Sequence, residues 1–190
     1  MPARARVSLG ILAGGRGARL GGVDKAFLHF CGEPMLDRVL AAAGDGFGQR
    51  LVSHNDPRNP ARKAWLDRGI VFVADRVAAG EGPLSGLHAL LHAAQGDWLL
   101  SLPVDLRQVP SDMVESLLAT EGAVARDADG LQPLVALWPR RDALSAAEDA
   151  LAAGERAVQY LARSLRLPVL DFGDRELGNL NTPADFDPTK

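Results

Sequence analysis

A three-layer α/β/α fold, a mainly parallel sheet with helices on both faces and an added antiparallel ribbon, is predicted by three features of this sequence. Short β-branched or apolar runs alternate with helical patterns along almost the whole chain, and such alternation builds parallel sheets covered by crossover helices. A glycine-rich loop follows the first apolar run directly. Acidic residues stand at the ends of two later runs, where open α/β sheets hold their ligands. With 190 residues, 47% of them hydrophobic, the chain suits one well-buried core, and residues 1–190 are read as a single domain.

The elements follow in order. VSLGIL (7–12) reads as the first strand. PMLDRVLAAA (34–43) has apolar residues at helical spacing, with proline suited to the first turn. RLVSH (50–54) is a second strand and ARKAWLDR (61–68) a second helix. IVFVA (70–74) gives the clearest strand signal and runs into Asp75. A small-residue loop then leads to the amphipathic LHALLHAA (87–94). WLLSL (98–102) is strand-like and ends in PVD, with Asp105 at its mouth. SDMVESLLA (111–119) opens with Ser and Asp, residues that cap helix N-termini. GAVAR and LVALW are two further strands, the second contributing to an antiparallel ribbon. Two alanine-rich helices (142–152 and 156–166) and the strand PVLDF (168–172) complete the pattern.

Bulk composition narrows the function. The formal charge is −3 with both signs interspersed, unlike the basic face of a protein that grips nucleic acid. No apolar run approaches the ~20 residues of a membrane span. The basic-then-apolar start resembles a secretory signal, but the apolar part breaks at Gly14-Gly15, so a cytoplasmic location is expected. The single cysteine, Cys31, allows no intramolecular disulfide. It lies in the turn-like FCGEP with no histidine beside it to activate it. His88 and His92, four apart, read as a polar helix face because no third metal ligand accompanies them. Trp65, Trp98 and Trp138 lie in apolar patterns and are assigned to the core.

The loop LGILAGGRGARLGGVDKAFL is neither of two familiar phosphate loops. Gly17 and Gly22 have P-loop spacing, but Val23 and Asp24 follow where Lys and Ser/Thr are required. Gly15 and Gly17 begin a dinucleotide fingerprint that meets Leu20 in place of glycine. Arg16, Arg19 and Lys25 decorate the loop. Glycines let successive backbone N–H groups approach an anion, and the basic side chains add charge-assisted bonds. An anionic ligand fits. The strand-end rule adds three more places: the Ser53–Asn55 loop, Asp75 and Asp105.

The order of residues carries more than their composition. L-A-G-G-x-x-x-R-x-G-G-x-D-K resembles the signature loop of nucleotidyltransferases with a glycosyltransferase-A-like, nucleotide-diphospho-sugar-transferase-like Rossmann-type fold. GGVDK, with GPLSG, LPVD, GERAV and NTP further on, is similar to the molybdenum cofactor guanylyltransferase family, from about Ile11 to about Phe186. The resemblance implies transfer of GMP from GTP to molybdopterin, giving the guanine dinucleotide cofactor and pyrophosphate, with Mg²⁺. It implies GTP contacts at Leu12, Ala13, Gly14, Gly15, Lys25, Asp75 and Asp105, and Mg²⁺ at Asp105. An amide contact after the second strand falls on Asn55, with Ser53 as the alternative. Asn179 and Asn181 match a pair facing molybdopterin, and Arg156 in GERAV is placed either against that second substrate or in solvent. Further partners implied are other molybdenum cofactor biosynthesis proteins and acceptor molybdoenzymes. A sibling enzyme for another nucleotide, such as a molybdopterin cytidylyltransferase or sugar-phosphate nucleotidyltransferase, is the nearest alternative. A non-catalytic nucleotide-binding relative is the other.

The residues suit that chemistry. Two anions must meet, and a carboxylate-held Mg²⁺ offsets their repulsion. Arg19 and Lys25, catalytic together with Asp105 on this reading, match the charge that develops on pyrophosphate. An already ionised phosphate needs no general base, in keeping with the absence of a Ser-His-Asp or Cys-His pattern.

Overall fold

The computed structural model describes residues 2–13, 25–60, 62–76, 82–110, 112–180 and 185. Gly14, Gly15, Arg19 and Asn181, with the rest of the glycine loop, lie outside them. Strands β1 (Val7–Leu12), β4 (Gln49–Ser53), β5 (Val71–Val73) and β6 (Trp98–Pro103) run parallel in the order β5-β4-β1-β6. Beyond β6 the seven-stranded sheet continues with β8 (Gly130–Pro139), β7 (Ala123–Asp127) and β9 (Val169–Asp171). β8 is antiparallel to both β6 and β7, which makes the expected ribbon, and β9 returns to parallel pairing with β7. A small hairpin, β2 (His29–Phe30) with β3 (Glu33–Pro34), was not expected. It surrounds FCGEP, where Cys31 and Gly32 both take positive φ, 53° and 85°, the pairing that a two-residue hairpin turn demands. Cys31 is exposed on that turn.

Alternation along the parallel strands divides the core. Val52 and Leu100 face α1 (Met35–Ala43), α2 (Arg62–Leu66) and α4 (Met113–Leu118). Leu51 and Leu99 face α3 (Pro83–Ala93), α5 (Arg140–Ala152) and α6 (Val158–Ser164). Both faces of the sheet are therefore buried, as parallel sheets require. Trp138 is fully buried and its Nε1–H donates to Ser101 Oγ at 2.8 Å. Trp65 is buried and donates to Asp37 Oδ1 at 3.0 Å, while Trp98 is half-buried.

Several boundaries differ from expectation for physical reasons. Pro34 is the N-cap of α1 instead of its first turn, because it is held in the β3 pairing. α3 starts at Pro83, four residues early, with proline at its first turn, a place where the missing N–H costs nothing. Asp112 caps α4 by position only and makes no side-chain cap bond; its carboxylate goes to Arg175 Nη1 at 2.7 Å. That guanidinium holds the Asp112 carboxyl below the usual carboxylate range. IVFVA yields only a three-residue strand at the sheet edge.

Candidate active site

The chain leaves β1, builds β4 and β5 to one side, and returns through α3 to place β6 on the other. The strand order reverses there, and ligands of such sheets enter at the carboxyl ends beside the reversal. Backbone bonds clamp this point from both sides. Ala13 N–H donates to Ser53 O at 3.1 Å, and Val104 N–H donates to Leu12 O at 3.0 Å. Leu12 and Ala13 are buried, so they can offer backbone and little side-chain surface.

Past the glycine loop, a 3-10 turn (Lys25–Phe27) buries Ala26 completely and anchors Lys25. Its ammonium reaches across to Asp105, Nζ to Oδ2 at 2.9 Å, with both side chains about one-fifth exposed. Lys25, which the sequence places among the loop's basic side chains, is thus largely buried in an ion pair. The pair spans the crevice between β1 and β6. Phe27 packs its ring on His54, centroids 5.3 Å apart, and on Trp65 at 5.0 Å. Burial of His54 fixes the loop after β4 beneath this turn.

A second polar pair lies two strands over. Asn55 Nδ2 donates to Asp75 Oδ2 at 2.9 Å, and Asp75 N–H donates back to Asn55 Oδ1 at 2.8 Å. Asn55 is exposed, whereas Ser53 is fully buried with its Oγ under Gly86 of α3. Asp75 Oδ1 is buried and has no hydrogen-bond partner among the described residues. An acceptor so left carries a desolvation cost until a donor arrives.

The chain's last described segment comes back to Asp105. Leu106 and Asn179 form an antiparallel bridge, Leu180 N–H donates to Asp105 O at 2.8 Å, and Gln108 N–H donates to Leu177 O at 3.0 Å. Asn179 is exposed one residue along from the ion pair. No sequence signal announces this pairing. Arg156 lies beside Gly82 at the start of α3, where its Nη1 donates to Glu155 O at 2.9 Å. The Glu155 carboxyl is held below its ordinary range by the amides of Ala157 and Arg156, each at 2.7 Å.

Of the two histidines expected on a polar helix face, His92 is exposed and His88 is not. His88 is buried, with Nε2 3.8 Å from Glu148 Oε1 of α5. Burial lowers its pKa. No group of three metal-binding side chains occurs among the described residues. The Asp105 carboxylate at the crevice is the donor type that suits Mg²⁺, which takes one or two protein carboxylates and draws its other ligands from phosphate and water.

The assembled site invites comparison with known proteins. The MobA-like NTP transferase domain matches residues 9–167. A molybdenum cofactor guanylyltransferase of Photobacterium profundum is 34% identical, covering 98% of this chain and 96% of that protein. One from Acidiphilium cryptum is 39% identical, covering 93% and 90%. Among solved structures, molybdopterin-guanine dinucleotide biosynthesis protein A from Archaeoglobus fulgidus superposes with a TM-score of 0.70, covering 94% of each chain at 23% identity. At that identity the superposition speaks for the fold alone. The sequence relatives go further, and this chain belongs to the MobA-like NTP transferases, among the molybdenum cofactor guanylyltransferases.

Proposed function

We propose that this enzyme transfers the guanylyl group of GTP to molybdopterin, forming the guanine dinucleotide cofactor and releasing pyrophosphate. The observation that carries the reading is the Lys25–Asp105 pair across the strand-order reversal, next to a loop whose sequence matches the family's signature. Mg²⁺, when bound, would screen the phosphates and be held by Asp105. Lys25 would then turn its ammonium to the phosphates, since it is already poised at the crevice. Leu12 and Ala13 would meet the nucleotide through backbone groups at the end of β1, and the loop residues Gly14, Gly15 and Arg19 would enclose the phosphates. Asn55 orients Asp75, and Asp75 Oδ1, without a partner among the described residues, is suited to accept a donor from the nucleotide. Asn179, brought beside Asp105, would face molybdopterin together with Asn181.

The test is to incubate the enzyme with GTP, Mg²⁺ and molybdopterin and follow pyrophosphate together with the dinucleotide product. Pyrophosphate should appear only when all three are present, in step with the product. Release that does not depend on molybdopterin would refute the assignment.

A further inference from the structure

A buried carboxylate remote from the reacting groups is left unexplained by that reading. Asp127, at the end of β7, is 4% exposed. Its Oδ1 accepts from Asp129 N–H at 3.0 Å and Gln132 Nε2 at 2.9 Å, both within the hairpin to β8. Its Oδ2 accepts from Leu177 N–H at 3.0 Å, fifty residues along the chain. Three donors satisfy this carboxylate, and no basic side chain takes part in those bonds.

Leu177 begins the segment that runs to Leu180 and pairs with residues 105–108. Its carbonyl faces Gln108, and Arg107 N–H donates to Gly178 O at 3.2 Å. Its N–H points the other way, to Asp127. Leu177 is fully buried, so without Asp127 that amide would be an orphan in the core, at a cost comparable to a lost hydrogen bond. Register is at stake as well. A slip by one residue would bring Gly178 or Leu180 opposite Leu106 and take Asn179 away from Asp105.

We propose that Asp127 is a positioning residue: it fixes the register of the 177–180 segment and thereby sets Asn179 beside Asp105 for the second substrate. The proposal rests on the reading above that Asn179 faces molybdopterin. Asparagine is the informative replacement. In Asp127→Asn the side chain keeps one carbonyl oxygen for the two hairpin donors but turns an amide NH₂ toward Leu177 N–H, a donor against a donor. The hairpin is kept and the tether is broken.

The experiment compares steady-state kinetics of Asp127→Asn, Asn179→Ala and the double variant, with amide exchange on each. Asp127→Asn should raise KM for molybdopterin about tenfold and leave kcat and KM for GTP within about threefold, because only placement of the second substrate suffers. A merely structural role would lower the active fraction, hence kcat, and move neither KM. The double variant should be no worse than Asn179→Ala alone, as for residues that act through one contact. Exchange at Leu180 and Gln108 should quicken in Asp127→Asn. Should Asp127→Asn fail to fold, the unmodified protein still decides. Leu177, Leu180 and Asp129 should share one opening rate, and independent opening of the segment and the hairpin would overturn the tether. An unchanged molybdopterin KM in Asp127→Asn, with Asn179→Ala impaired, overturns the tether alone. An unchanged KM in Asn179→Ala overturns the placement of molybdopterin itself.

Discussion

Lys25 and Asp105 neutralise one another across a crevice, and that mutual dependence shapes what each substitution does. Asp105→Asn removes the anionic oxygen that would hold Mg²⁺ while keeping the shape and the backbone contact to Leu180. Turnover should fall on the order of a hundredfold with the fold intact. Near-normal turnover at limiting Mg²⁺ would remove Asp105 from the metal site. Lys25→Ala should lower kcat by roughly tenfold or more, with a stability cost of about 1–3 kcal/mol because the pair is mostly buried and Asp105 loses its partner. Equal losses of activity and of folded protein would make Lys25 structural. His88 sets a pH limit of a different kind. Burial between α3 and α5 holds its pKa below the ordinary 6.5, against the opposing pull of Glu148, with His92 and Arg76 adding to the lowering. Between that lowered value and 6.5 the unfolded chain takes up a proton that the folded chain refuses. The stability from this site is therefore complete above 6.5 and declines as pH falls through the window. Thermal unfolding from about pH 7.5 to about 5.5 should show this decline, and His88→Gln should flatten it. An equal slope in both proteins would exclude His88 as its source.

At the level of elements, packing between backbones is the tightest constraint. Gly96, in the connection from α3 to β6, donates its N–H to Ser8 Oγ at 3.3 Å. A Cβ built there would lie 2.3 Å from Arg6 O and 3.2 Å from Ser8 N. Both are backbone atoms, and neither can swing aside. Gly96→Ala should cost roughly 1–3 kcal/mol, read as a lowered urea midpoint with unchanged slope; an unmoved midpoint would mean that the connection yields easily. Elements of this kind show what the sequence discloses. VSLGIL and WLLSL are read correctly because they are almost wholly buried on both faces and mostly apolar, each with one hydrogen-bonded serine. IVFVA looks stronger still, yet as an edge strand it pairs on one side only and leaves Val71 44% exposed. The β2–β3 hairpin is missed because two-residue strands have no measurable alternation. The start of α3 is missed because GPLSG has turn composition, although Pro83 suits a first helical turn and Gly86 packs closely on Ser53 of β4.

The whole molecule brings together what the chain keeps far apart. Sequence reading places Lys25, Asn55, Asp75 and Asp105 at strand ends by a rule about open sheets. It does not show that they form two pairs, Lys25 with Asp105 and Asn55 with Asp75, because those bonds depend on how far neighbouring strands extend. Asp127 is passed over in the sequence between GAVAR and LVALW, and its bond to Leu177 is legible only once the chain has closed. Enzymes for cytidine nucleotides share this fold, so membership among the guanylyltransferases requires a pocket that tells the bases apart. Guanine offers two donors beside an acceptor, whereas cytosine offers one donor beside acceptors, and each unpaired buried group costs ~1–3 kcal/mol. The most direct measurement is the ratio of kcat/KM for GTP and CTP, with molybdopterin and Mg²⁺ fixed. A preference for GTP of about a hundredfold or more is expected, while comparable values for the two nucleotides would contradict the guanylyltransferase account.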